Sequence, residues 1–190
     1  MTKIKKILAP VDLSDFSKLG VRYALDLAQW QQSEVLIYNV ITIEETPFPQ
    51  ASEDWVVQQA DTPKFKKILD QRKKLFERFV RESCADAPPT GRVRHDIGIG
   101  TPYKRIVEKA QQEGADLIVM PTHGRTGLAH MLIGSVTERV LRRAPCPVLA
   151  IPALKEPKRA VKKRSDESHS RYSRLRQKMI SIGSRKNING

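Results

Sequence analysis

Apolar residues in this chain gather into five short runs, and between the runs they recur every three or four positions. The runs are Ile7-Leu8-Ala9-Pro10-Val11, Val35-Leu36-Ile37-Tyr38-Asn39-Val40-Ile41, a weaker one at 92–100, Leu117-Ile118-Val119-Met120, and Val148-Leu149-Ala150-Ile151. Four are almost continuously apolar, as strands covered on both faces of a parallel sheet are. The run at 92–100 alternates weakly and carries Arg92, Arg94, His95 and Asp96, which predicts an edge strand.

The intervening stretches have helical period. Phe16, Leu19, Val21, Ala24, Leu25, Leu27 and Ala28 predict an amphipathic helix over 15–31, capped by Ser14 or Asp15. Phe65, Ile68, Leu69, Leu75, Phe76, Phe79 and Val80 predict a second helix from Pro63 to about Glu82, with its many Lys and Arg on a solvated face. Thr101 as N-cap and Pro102 in the first turn open a third, which stops before Gly114. The fourth spans 135–144, with Ser135 as N-cap, and Pro145-Cys146-Pro147 breaks it. Residues 42–60 hold Pro47 and Pro49 and show no period, so they read as a loop. The order β-α-β-α-β-α-β-α-β predicts an α/β fold. It is a single doubly wound, Rossmann-like sheet of five parallel strands flanked by four helices.

Composition alters this picture at one end only. The chain has 190 residues and a net charge of +13. From Lys155 onward there are twelve Lys and Arg against three acids, so the tail carries nine of those charges. The expected division is an α/β domain over 1–154 and a basic, disordered tail over 155–190. Tyr172, Leu175, Met179 and Ile182 lie at helical spacing within that tail. It reads either as a solubilising extension or as a short basic helix that forms on nucleic acid, anionic lipid or a partner protein. No apolar run is long enough to span a bilayer, and the first apolar run stops too soon for a signal peptide, so a cytoplasmic location is expected. Cys84 and Cys146 are read as half-buried thiols rather than a metal or disulfide pair.

Chemistry concentrates in one loop. The chain lacks G-x-x-x-x-G-K-[ST], a full G-x-G-x-x-G and G-x-S-x-G, and its four histidines show no metal-ligand spacing. What remains is the stretch from Met120 to Thr137. An apolar strand runs through a loop with Gly124, Gly127 and Gly134 into a helix start. Glycines admit an anion to the backbone, and the first-turn N–H groups point at it, so the arrangement suits a phosphate.

Three separated segments resemble the universal stress protein family. They are Lys6-Ile7-Leu8-Ala9-Pro10-Val11-Asp12-Leu13-Ser14, then Thr122-His123-Gly124-Arg125-Thr126-Gly127 leading to Ile133-Gly134-Ser135-Val136-Thr137-Glu138-Arg139-Val140, and last Ala144-Pro145-Cys146-Pro147-Val148-Leu149-Ala150-Ile151-Pro152. The resemblance spans residues 3–152 and leaves out the tail. It implies a stress-response module that binds ATP or AMP, with Mg2+ as an optional companion, without catalytic residues and with at most slow hydrolysis. It also implies a homodimer joined through 148–151.

The family's ATP-binding branch carries G-x2-G-x9-G-[ST]. On this chain the second glycine is Gly124 and the closing pair is Gly134-Ser135, but the first glycine falls on Pro121, which has no N–H. By resemblance, Pro10 and Asp12 lie near adenine and ribose, and the Val40 backbone meets the adenine edge. Gly124, Arg125, Thr126 and Gly127 wrap the phosphates, Ser135, Val136 and Thr137 supply a helix N-terminus, and Thr122 and His123 are counted among the nucleotide-binding residues. The plainer readings stand beside these. Asp12 caps the first helix, Arg125 is a solvated loop residue, and His123 only orients the loop. Pro121 also supports an alternative function, a family dimer that binds no nucleotide and acts as a protein adaptor.

Overall fold

The apolar runs form one sheet in which every pairing is parallel. The computed structural model describes residues 3–59, 61–85, 92–122 and 133–152. Strand β1 (Lys6–Val11) leads into α1 (Asp15–Gln31) and then β2 (Glu34–Ile41). A 3-10 turn (Ile43–Glu45) and α2 (Glu53–Gln58) precede α3 (Pro63–Cys84), β3 (Val93–Ile99) and α4 (Pro102–Glu113). Strand β4 (Leu117–Pro121), α5 (Ser135–Leu141) and β5 (Val148–Ile151) complete the order. The sheet order is β3-β2-β1-β4-β5, so β1 is central and β3 and β5 are edges. The chain winds outward from β1 to one side and then crosses to the other, as expected for a doubly wound sheet.

Alternation along the strands divides the core in two. Ile7, Ala9, Val11, Val35, Ile37, Leu117 and Val119 pack with Val21, Ala24 and Ala28 of α1 and with Phe76 and Phe79 of α3. Leu8, Leu36, Tyr38, Val40, Ile118 and Met120 pack on the opposite face with Ile106 and Ala110 of α4 and Val140 of α5. Phe65 and Phe76 are fully buried, which accounts for the helical period of a segment whose other residues are largely charged.

Several expectations need correction. The loop read over 42–60 holds a 3-10 turn and α2, so the described residues contain five α-helices rather than four. At six residues α2 buries only Val56, too little to leave a period, although Ser52 caps it and Glu53 and Asp54 fill its first turn. Ser135 is not the N-cap of α5. Gly134 takes that position, with φ −70° and ψ 151°, because its N–H is held by the Thr122 carbonyl at 2.7 Å. The same helix ends at Leu141 rather than 144. Thr101 sits at the N-cap of α4, but its hydroxyl donates to Glu53 instead of accepting from the helix. Pro121, read as the loop's first residue, is the last residue of β4 and is buried. The tail and the stretch 123–132, with His123, Gly124, Arg125, Thr126 and Gly127, lie outside the described residues.

Candidate functional site

The carboxyl ends of the strands carry most of the chain's polar side-chain architecture, and the seam between β1 and β4 is its centre. Strand β1 turns its odd residues to β2, since the Glu34 N–H donates to the Lys5 carbonyl at 2.8 Å. Successive residues of a parallel strand face alternate neighbours, so Pro10 points its nitrogen at β4. In β4 the N–H groups of Ile118 and Thr122 donate to Pro147 and Ile151 of the β5 segment. That leaves Pro121 facing β1. Each strand therefore presents a nitrogen without a hydrogen at the seam. The β1–β4 pairing stops at Leu8↔Ile118, while β1–β2 pairing continues to Val11↔Asn39. Two prolines thus end the β1–β4 hydrogen-bond ladder at the sheet's switch point.

Where β1 ends, the chain turns sharply. Leu13 has φ 65°, in the left-handed region that favours glycine. Asp12 holds this turn. Its Oδ1 accepts from the Ser14 N–H at 3.1 Å, the Ser14 hydroxyl at 2.6 Å and the Ser17 hydroxyl. The Asp12 N–H donates to Ser17 Oγ at 3.0 Å, and Ser14 Oγ accepts from the Ser17 N–H as the N-cap of α1. Asp12 thus does not cap α1, since Ser14 holds that position, but braces the cap, and its half-buried carboxylate stands just past the end of β1.

Beside it, Asn39 is fully buried and donates from Nδ2 to the Val11 carbonyl at 2.8 Å. Arg72 of α3 donates from Nε to Asn39 Oδ1 at 2.9 Å and from Nη2 to both oxygens of Glu45 at 3.0 Å. Glu45 in turn accepts from the Thr42 N–H. Val40, one residue on, is buried and pairs with Gly98 of β3. A second knot closes the end of β3. Glu53 accepts from the N–H and hydroxyl of Thr101 at 3.1 and 2.7 Å, and pairs with Arg105 at 2.8 Å. Burial opposes ionisation of Glu53, but the two Thr101 bonds and the Arg105 charge outweigh it and hold its carboxyl below the usual range.

On the far side of the seam, α5 is docked onto β4 by a side chain. Thr137 Oγ1 donates to the Pro121 carbonyl at 2.9 Å, and both residues are buried. The ring of Pro121 lies against Gly20 of α1, on the opposite face from α5. Ser135 is exposed and Val136 half-buried, packed on the second core. The structure thus brings Pro10, Asp12, Pro121, Thr122, Gly134 and Thr137 to one seam and Val40 to the neighbouring strand end. It also shows that Val40, Pro121 and Thr137 have their side chains engaged by the fold. Sequence reasoning missed Asn39, Arg72, Glu45 and Glu53. Of these only Asn39 left a signal, a lone amide inside an apolar strand. Among the described residues no group of three His, Cys, Asp or Glu side chains could hold a metal, and no helix is long and apolar enough to cross a membrane. Burial pushes the Cys84 and Cys146 thiols up, as expected of inert half-buried cysteines.

A parallel sheet in this order, with helices on both faces and a capped first helix, defines a doubly wound α/β protein of the Rossmann-like type. The chain belongs to the universal stress protein family, whose model matches residues 3–152. It is 34% identical over 158 residues to the universal stress protein MJ0531 of Methanocaldococcus jannaschii, an alignment covering 82% of this chain and 84% of that one. Among solved structures it resembles MJ0577, with a TM-score of 0.63, 28% identity, and coverage of 82% and 100%. It also resembles a universal stress protein family protein of Arabidopsis thaliana, At3g01520, solved with AMP bound. There the TM-score is 0.51, the identity 20% and the coverage 81% and 97%.

Proposed function

We propose that this protein is an adenine-nucleotide-binding stress-response module, taking ATP or AMP at the β1–β4 seam, with slow hydrolysis or none. The observation that carries the reading is the early end of the β1–β4 ladder at Pro10 and Pro121. It gives a flat base and ribose a place between strand ends without breaking ladder hydrogen bonds. The half-buried Asp12 carboxylate suits a ribose hydroxyl, and the Val40 backbone lies at the adjoining strand end. Gly134 and Ser135 keep the nine-residue spacing from Gly124 that the family motif requires. The AMP complex of the Arabidopsis relative supports the same ligand class. Mg2+ would accompany ATP through its phosphates. Titration calorimetry with AMP and with ATP-Mg, together with mass spectrometry of nucleotide released from the purified protein, tests this. Bound adenine nucleotide and a saturable heat are expected. Neither appearing would sink it.

A second reading is a dimeric adaptor that binds no nucleotide. It is favoured by Pro121 and Thr137, whose backbone nitrogen and hydroxyl respectively offer nothing to a phosphate. Either reading includes a homodimer through β5, an edge strand on which Leu149 is 37% exposed. Light scattering at micromolar concentration should give twice the chain mass. The tail over 155–190 is assigned to a polyanionic or protein partner, and the α/β domain over 1–154 to the cytoplasm. Deleting 155–190 should abolish any salt-dependent retention on DNA or anionic vesicles.

A further inference from the structure

Beyond Leu8 strand β1 has no β4 partner in the described pairing, and beyond Val11 it has no β2 partner. Its last peptide is nevertheless fixed, because Asn39 Nδ2 holds the Val11 carbonyl at 2.8 Å from directly across the register. Asn39 is itself oriented by Arg72, which comes from α3. The same guanidinium grips Glu45, whose carboxylate accepts the Thr42 N–H just past the end of β2. One side chain thus ties the end of β1 to the end of β2.

Stability alone does not explain this arrangement. The Arg72 side chain is 15% exposed and its Glu45 partner 25%. Buried ion pairs of this kind contribute little that apolar side chains of the same volume would not. What apolar side chains cannot do is set the direction of the Val11 carbonyl. The residues that follow are Asp12 and the left-handed Leu13. A turn of that conformation persists only when its surroundings over-determine it.

We infer that Arg72 and Asn39 are positioning residues for the nucleotide, which they hold in place by fixing the distance and orientation between the Asp12 and Val40 strand ends. This rests on the nucleotide reading above. Neither residue touches the ligand. The brace acts on the nucleoside half of the site and leaves the phosphate half alone.

The test measures adenosine and AMP affinities of the full-length protein by calorimetry, at a temperature where thermal melts show every variant folded. Arg72→Ala should weaken both ligands by the same factor, about tenfold, by leaving Asn39 unoriented. Guanidinium chloride at tens of millimolar should restore much of the loss, and sodium chloride at equal concentration should not. Arg72→Lys, which keeps the charge and the fold, should also bind several-fold more weakly, since an ammonium cannot serve Asn39 and Glu45 together. Arg78→Ala, on the exposed face of the same helix and paired with Glu82, should bind as the wild type does. Unchanged affinities in both Arg72 variants, with wild-type binding intact, would overturn the inference while leaving the nucleotide reading standing. So would a loss confined to AMP, which would place the Arg72 charge on the phosphate. Absence of wild-type binding to both ligands would remove the nucleotide reading and the inference together.

Discussion

The ring of Pro121 packs on the bare backbone of Gly20. A Cβ built on Gly20 would lie 3.2 Å from Pro121 Cδ and 3.6 Å from its nitrogen. The proline that departs from the family's first glycine is therefore part of the α1–β4 contact, and its nitrogen faces Pro10 across the seam.

Two substitutions probe that contact. Gly20→Ala gains helix propensity of about 1 kcal/mol, but its methyl meets a ring fixed at a strand end, and overpacking costs about 1–3 kcal/mol. A net loss near 1 kcal/mol is expected by chemical denaturation. Pro121→Gly removes the ring and loosens the unfolded chain, for a loss of about 1–3 kcal/mol. Sequence alone suggests that this change restores a phosphate donor. The structure directs the new N–H at the Pro10 carbonyl instead, so ATP affinity should not rise; a tighter complex by calorimetry would contradict the geometry.

Thr137 anchors α5 through its hydroxyl. Thr137→Val keeps the shape and strands the buried Pro121 carbonyl, at a loss of about 1–3 kcal/mol. Thr137→Ser keeps the bond and should lie within about 1 kcal/mol of wild type. Equal stability of the two variants in urea melts would show that the bond contributes nothing.

Glu53 makes stability depend on acid. Its folded pKa lies below the usual carboxylate range, so its contribution is complete above the unfolded-chain pKa and is lost as pH falls through the depressed value. Glu53→Gln should lower the melting temperature at pH 7, and the gap to wild type should close as pH falls through the depressed Glu53 value. A gap that is constant from pH 7 to pH 3 would exclude the ionised latch.

Tyr38 occupies the space that a side chain on Gly98 would need. A Cβ there would sit 2.8 Å from Tyr38 Cζ and closer still to its hydroxyl. Gly98→Ala should lose about 2 kcal/mol or more. Combination with Tyr38→Leu should recover part of that loss, a coupling that a double-mutant cycle measures. Burial, with the nearby Asp96 charge, pushes the Tyr38 phenol up to about 12. Absorbance titration of the tyrosinate should therefore show a phenol ionising near pH 12 in wild type and its loss in Tyr38→Leu.

The sequence determined the element order, the parallel sheet, the edge position of 92–100 and the family. All of these follow from local period and from motifs that stay together along the chain. Residues such as Ile7, Ile37 and Val119 announce their burial by their neighbours, because burial on both faces of a sheet leaves no polar alternation to read. The candidate site was legible only where its residues are contiguous, as in Asp12 with Ser14, or Gly134 with Ser135. Tertiary structure decided the rest. It turned Pro121 from a loop residue into a strand terminus by setting it against Gly20, 101 positions away. It paired the two prolines across a seam, and it brought Arg72 to Asn39. The physical reason is common to all three. A hydrogen bond or a ring contact between distant residues depends on which strands become neighbours, and no spacing along one segment records that choice.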